Sequence, residues 1–151
     1  MTASALGFRP ATRADVPAVI ALLADDMLGQ GRETADLAPY LAAFDAMQAE
    51  GANQLILGVI GAEIVACYQI TFISGLSLSA ARRAQIEGVR VASDRRGQNI
   101  GEALVHDAET RARAAGCTLL QFTTNRSRSD AHRFYDRLGF TASHIGYKKS
   151  L

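Results

Sequence analysis

Ile86-Glu87-Gly88-Val89-Arg90-Val91-Ala92-Ser93-Asp94-Arg95-Arg96-Gly97-Gln98-Asn99-Ile100-Gly101 is the stretch on which the fold of this chain turns. Its first half is β-rich, so a strand is expected over about Ala84 to Val91. Its second half is polar and carries Gly97 and Gly101. Beyond it Ile100, Leu104, Ala108, Ala112 and Ala115 recur at the spacing of one helix face, and Gly116 is placed to end that helix. Strand, bend and helix start therefore follow one another directly. The first N–H groups of a helix have no intrahelical partner, and the aligned peptide dipoles add about half a positive charge there. Small residues let an anion reach that backbone, and Arg95 and Arg96 can add forked donors. This pattern fits an anion cradle. It equally fits a glycine-containing turn beside two solvated arginines, and spacing alone does not choose.

Two common phosphate motifs are excluded. A Walker loop needs Gly-Lys-Ser/Thr at the helix start, where this chain has Ile100-Gly101-Glu102. The dinucleotide pattern GxGxxG fails because Gly97 and Gly101 are four apart, and a hairpin rather than a βαβ unit precedes them.

Upstream of the bend, Phe8 to Pro10 reads as a short strand, and Thr12 and Asp15 have capping-box spacing. Val16, Val19, Ile20 and Leu23 then recur at helical period. A second stripe of Leu37, Tyr40, Leu41, Phe44 and Met47 stops at Gly51. Gln54 to Ile60 and Glu63 to Ile73 are β-rich around a Gly61-Ala62 turn, and a Ser/Gly loop runs from Ser74 to Ala81. Downstream, Thr118 to Thr123 is a further strand. Ser129 or Asp130 can cap a helix over Ala131 to Leu138, with Ala131, Phe134, Tyr135 and Leu138 inward and Gly139 as its stop. The tail from Phe140 to Leu151 has room for two short strands around His144 to Gly146. The expected fold class is α/β of the mixed α+β kind in one domain, 1–151, with helices on both faces of a mixed sheet.

Composition narrows the function classes. Lys and Arg total 16 against 15 acidic residues, a net charge of +1, which argues against a nucleic-acid binder acting through bulk charge. No apolar run reaches the ~18–20 residues of a membrane span, and no leader pattern is expected at the first residues. Cys67 and Cys117 form no CxxC and read as buried thiols in a reducing, cytoplasmic setting. His106, His132 and His144 form no metal-ligand pair, so no metal is expected.

Arg96-Gly97-Gln98-Asn99-Ile100-Gly101 resembles the pyrophosphate loop Gln/Arg-x-x-Gly-x-Gly/Ala of the GNAT superfamily of acyl-CoA-dependent N-acyltransferases. Asn125, then Ala131-His132-Arg133-Phe134-Tyr135-Asp136-Arg137-Leu138-Gly139-Phe140, resembles that family's second signature, Asn-…-Ala-x-x-x-Tyr-x-x-x-Gly-Phe. The opening Arg9-Pro10-Ala11-Thr12-x-x-Asp15 is similar to a common start in the family. One departure is Asn99, where the family usually has Gly; Asn is among the side chains that best tolerate the left-handed region. The resemblance covers essentially the whole chain. It implies a mostly antiparallel mixed sheet of six to seven strands with about four helices on its two faces.

The resemblance also implies site residues. Arg96, Gly97, Gln98, Asn99, Ile100 and Gly101 would hold the diphosphate of acetyl-CoA, and the backbone of Val89 and Val91 would pair with its pantetheine arm. Tyr135 would protonate the leaving thiolate. Glu87 would act as base, commonly through water; in simple strand parity it shares a face with Gln85, Val89 and Val91. Asn125 would bind pantetheine or substrate, or else cap the following turn. The acceptor, an amine, would lie among Gly29 to Glu33, Ser74 to Arg83 and Ser143 to Gly146. The implied activity is acetyl transfer from acetyl-CoA to a primary amine, of a small molecule first and of a protein second. The rival of a different class is a non-catalytic acyl-CoA-binding module. A homodimer is also an expectation, although no heptad or exposed apolar stripe marks an interface.

Overall fold

Five strands pair in the order β1-β2-β3-β4-β5: β1 Leu6–Pro10, β2 Asn53–Ile60, β3 Glu63–Ile73, β4 Arg83–Val91 and β5 Leu119–Gln121. The first four are antiparallel neighbours, and β5 joins β4 in parallel. The computed structural model describes residues 4–25 and 31–151. They divide into two compact units, one ending at Gln121 and the other spanning Phe122–Leu151.

In the first unit, residues alternate between the two faces of β2 and β3. Leu57 and Cys67 lie with Val16, Val19 and Leu22 of helix α1 (Val16–Ala24) and with Phe44 of α2 (Ala38–Glu50) in one fully packed cluster. Tyr68, adjacent to Cys67, takes the opposite face, where its hydroxyl donates to Asp107 of α4 (Ile100–Ala114) at 2.5 Å. Asp107 also accepts from Arg111 Nε at 2.8 Å, and Arg111 reaches the Phe8 carbonyl at 3.4 Å. Burial and the neighbouring carboxylate both push the Tyr68 phenol pKa up, so the hydroxyl remains a donor. This hydrogen-bonded chain ties α4, and hence its N-terminus, to the middle of the sheet.

The ends of the helices follow the glycines. In α4 the Cys117 N–H bonds the Ala112 carbonyl (2.9 Å) and Gly116 N–H bonds Arg113 (3.0 Å), with Gly116 at φ +79, which is a Schellman stop. The single turn α3 (Ser77–Ala80) is unusual, because Leu78, Ser79 and Ala80 all have φ between +53 and +61. Left-handed geometry costs such residues roughly 1–2 kcal/mol each.

The sheet departs from the six to seven strands expected. Five form among the described residues, together with four α-helices of nine residues or more and the turn α3. The two short strands expected in the tail are absent: from Phe140 to Leu151 no residue enters a ladder. A strand needs a neighbour for its amides and one covered face. Here the side chains from Thr141 onward are exposed, and the backbone bonds of the tail are local, from Phe140 N–H to Tyr135 O at 3.2 Å and from Ser143 N–H to Thr141 O at 2.9 Å.

In the second unit, helix α5 (Ser129–Arg137) has Arg128 as its N-cap residue rather than Ser129 or Asp130, and Asp130 pairs with Arg133 instead. Phe122, Phe134, Tyr135 and Phe140 gather on its apolar side.

Candidate active site

The bend after β4 is built from backbone conformation. A 3-10 turn, Ser93–Arg95, closes through Arg95 N–H to Ala92 O at 2.9 Å. Arg96 is then extended, Gly97 has φ +80, and Asn99 sits at φ 60, ψ 19 as the residue before α4. Asn99 therefore adopts the left-handed conformation that glycine would supply. The first helical bond runs from Ala103 N–H to Asn99 O at 3.1 Å, which places the N–H groups of Ile100, Gly101 and Glu102 ahead of the ladder. A Cβ built on Gly97 would meet nothing within 4 Å, so the bend opens to solvent. Arg96, Gly97, Gln98 and Asn99 are exposed while Ile100 is buried, anchoring the helix start to the core. The geometry suits a diphosphate: outward amides, a positive helix end and an exposed guanidinium at Arg96.

Arg95 does not join that set. Its guanidinium is paired with Glu63 of β3, so of the two arginines only Arg96 is left to face an anion. Glu102, the acidic residue of the first helical turn, lies 3.6 Å from His106 Nε2.

Strand parity in β4 is broken by a bulge. Gln69 pairs with Glu87, yet Cys67 pairs with Arg90 and Ala66 with Val91, so Gly88 and Val89 together oppose Tyr68. Gly88 makes this possible at φ +58. Glu87 consequently shares a face with Gln85 and Arg90, whereas Val91 lies on the other face with Ala66. The single face expected for Gln85, Glu87, Val89 and Val91 is thus corrected. An isolated glycine inside a strand pattern was the signal for it. Glu87 is exposed and makes none of the ion pairs found among the described residues, so it is not the partner of Arg82, Arg83 or Arg90. Arg82 instead bonds Ala115 O and Ser74 Oγ.

The ladder on the β5 side of β4 stops short of the bend. Its ladder with β5 covers only Arg83↔Leu119, Ala84↔Leu120 and Gln85↔Gln121, the last reinforced by a 3.0 Å amide bond between the two glutamines. Beyond Gln85 the strand runs on through Val89 and Val91 without β5 alongside. A peptide-like ligand could add to such an edge.

Within the second unit, Tyr135 is half-buried, with its ring 4.1 Å from Phe122, 5.1 Å from Phe134 and 5.8 Å from Phe140. Asn125 takes the turn-capping role locally: its Oδ1 accepts from Ser127 N–H (2.9 Å) and Ser127 Oγ (2.7 Å). His144 is exposed, with Nδ1 2.7 Å from Ser143 Oγ.

Of the segments expected around the acceptor, Gly29 and Gln30 lie outside the described residues. Glu33 accepts a 2.5 Å bond from the Tyr40 hydroxyl, and Ser74 to Arg83 carries the left-handed turn. Cys67 and Cys117 are buried thiols, and desolvation pushes Cys67 up to about 12, which makes it inert as a nucleophile. Among the described residues no group of three His, Cys, Asp or Glu is gathered, and no helix is long and apolar enough to cross a membrane.

Known proteins share this fold. A transcriptional regulator from Bacillus halodurans C-125 is 43% identical, with a TM-score of 0.93 over 97% of this chain and 100% of that one. A protein from Clostridium acetobutylicum solved with acetyl-CoA has the same fold at 16% identity, with a TM-score of 0.72 over 95% of this chain and 96% of that one. The aminoalkylphosphonate N-acetyltransferase of Salmonella typhimurium is 45% identical over 67 residues, 44% of either chain, so the matched stretch spans less than half of that relative. Residues 18–140 match the acetyltransferase (GNAT) family, and with the bend and the fold in agreement, the chain belongs to that family.

Proposed function

We propose that this protein is an acetyl-CoA-dependent N-acetyltransferase whose acceptor is the primary amine of a small molecule. The observation that carries this reading is the bend Arg96–Gly101, where Gly97 and Asn99 both adopt positive φ and leave three amides at the start of a 15-residue helix. The acceptor class is supported by the Salmonella relative, whose name specifies an aminoalkylphosphonate, a small amine.

Acetyl-CoA, when bound, supplies a thioester carbonyl open to attack. The amides of Ile100 and Gly101, with Arg96, Gln98 and Asn99 around them, hold the diphosphate. The backbone of Val89 and Val91 pairs with the pantetheine amides along β4. Asn125 contributes through its side-chain amide, since its Oδ1 is occupied by Ser127.

An amine with pKa about 10.4 is almost wholly protonated at pH 7, and removing its proton costs roughly 4–5 kcal/mol. Glu87, exposed on β4, takes that proton through water. The departing thiolate, with an intrinsic pKa near 8.5, receives a proton from the Tyr135 hydroxyl. The amine nitrogen forms the new amide bond as the C–S bond breaks, with no acyl-enzyme intermediate. The cytoplasm, where acetyl-CoA is made and used, is the setting this chemistry implies.

Calorimetry with acetyl-CoA, followed by thiol release across an amine panel that includes aminoalkylphosphonates, tests the reading. Binding together with amine-dependent thiol release is expected. Binding without release for any amine would leave only a coenzyme-binding module. Tyr135→Phe should keep coenzyme affinity within twofold and lower turnover at least tenfold.

A further inference from the structure

The 3-10 turn Ser93–Arg95 lies immediately ahead of the anion-binding bend, and it is held from outside. Ser93 donates its backbone N–H to Asp25 Oδ2 at 3.0 Å and its hydroxyl to Asp25 Oδ1 at 3.2 Å. Asp25 stands at the end of α1, 68 residues earlier in the chain. The Ala92 N–H bonds Val65 O at 2.8 Å, and Arg95 pairs with Glu63. The chain is therefore fixed to α1 and to β3 up to the residue before Arg96, where the bend starts.

We propose that Asp25 is a positioning residue for coenzyme binding: by capping the Ser93 turn, it fixes the bend so that the helix-start amides are aimed before the diphosphate arrives. This inference rests on the coenzyme reading above. Bound geometry must be held to within about 0.5 Å for such donors to act together. A bend released from its anchor loses conformational freedom on binding, and affinity falls accordingly. Asp25 is the stronger of the two side-chain anchors. It is short, it uses both carboxylate oxygens, and one of its bonds is to backbone. The Glu63–Arg95 pair is half exposed, and exposed ion pairs contribute little.

The effect should be confined to the diphosphate end of the coenzyme. The test compares Asp25→Ala, Asp25→Asn and Ser93→Ala with wild type, using CoA, pantetheine (which lacks the diphosphate) and inorganic pyrophosphate as a competitor. Asp25→Ala should weaken CoA and pyrophosphate binding about five- to tenfold and raise KM for acetyl-CoA in parallel. It should leave pantetheine affinity and kcat within twofold. Asp25→Asn, which keeps an acceptor for the Ser93 N–H, should recover most of the loss, and Ser93→Ala should lose two- to threefold. Unchanged CoA affinity in Asp25→Ala, or equal losses for CoA and pantetheine, would overturn the positioning role alone. A wild type that binds no CoA would overturn the coenzyme reading, and the positioning role with it.

Discussion

The Phe140 N–H bonds the Tyr135 carbonyl at 3.2 Å, and the two rings lie edge to face at 5.8 Å. Together with the Gly139 N–H to Asp136 O bond of 3.1 Å and Gly139 at φ +90, this is a Schellman motif with its accompanying apolar contact. The signature Tyr-x-x-x-Gly-Phe therefore has a mechanical meaning. The glycine ends the helix, and the phenylalanine folds back onto the tyrosine ring that the proposed chemistry uses.

Gly139→Ala tests that coupling. Its Cβ would meet nothing within 4 Å, so the cost is conformational, about 1–2 kcal/mol. The variant should melt earlier and lose turnover several-fold. Full activity together with reduced stability would show that the Schellman turn does not set the position of Tyr135.

Gly88 holds the β4 bulge at φ +58. Gly88→Val places a β-branched side chain in a conformation it avoids, at a cost of about 2 kcal/mol or more. The strand should respond by straightening, which returns Val89 to regular pairing and re-aims Glu87. We expect KM for acetyl-CoA to rise at least fivefold, measured by steady-state kinetics, with the loss exceeding that of a surface control.

Asn99 occupies the left-handed position before α4. Asn99→Gly should preserve coenzyme affinity within about twofold, because glycine takes this conformation freely. Asn99→Val should weaken binding about tenfold or more. Equal affinities for Asn99→Gly and Asn99→Val in calorimetry would show that the bend tolerates other backbone shapes.

Arg9 grips Asp15 through two bonds of 2.7 and 3.1 Å, and Asp15 also accepts from Thr12 N–H at 2.7 Å. The guanidinium first, then the Thr12 donors, hold this carboxyl well below the usual carboxylate range. A depressed folded pKa stabilises the protein fully above the unfolded value near 3.9, and that contribution is lost as pH falls below it. Asp15→Asn should therefore be less stable than the parent at pH 7, by about 1 kcal/mol after allowing for solvent screening. In denaturant titrations the gap should narrow progressively as pH falls below about 4 and close only once the depressed folded carboxyl is itself protonated.

Much of the fold could be read along the chain because its causes are local. The Glu63–Ile73 strand, the Gly61 turn, and the helix stops at Gly51, Gly116 and Gly139 follow from residue type at a position. The left-handed Asn99 was likewise foreseeable, since its preference is intrinsic. Parity in β4 was misjudged because a bulge depends on how two strands settle their register, and only the isolated Gly88 hinted at it. Arg95 resembled an anion donor until β3 brought Glu63 alongside.

The sequence by itself determined where the backbone turns, which residues are apolar at which period, and which glycines and asparagine accept positive φ. These properties belong to single residues and their neighbours, so no folding is needed to state them. Tertiary structure alone decided that Asp25 would cap Ser93 and that β5 would stop at Gln121. It also set Glu87 on the face opposite Val91 and left the tail without a ladder. Each depends on a partner distant in the chain, where the free energy of pairing is set by the whole sheet rather than by either segment.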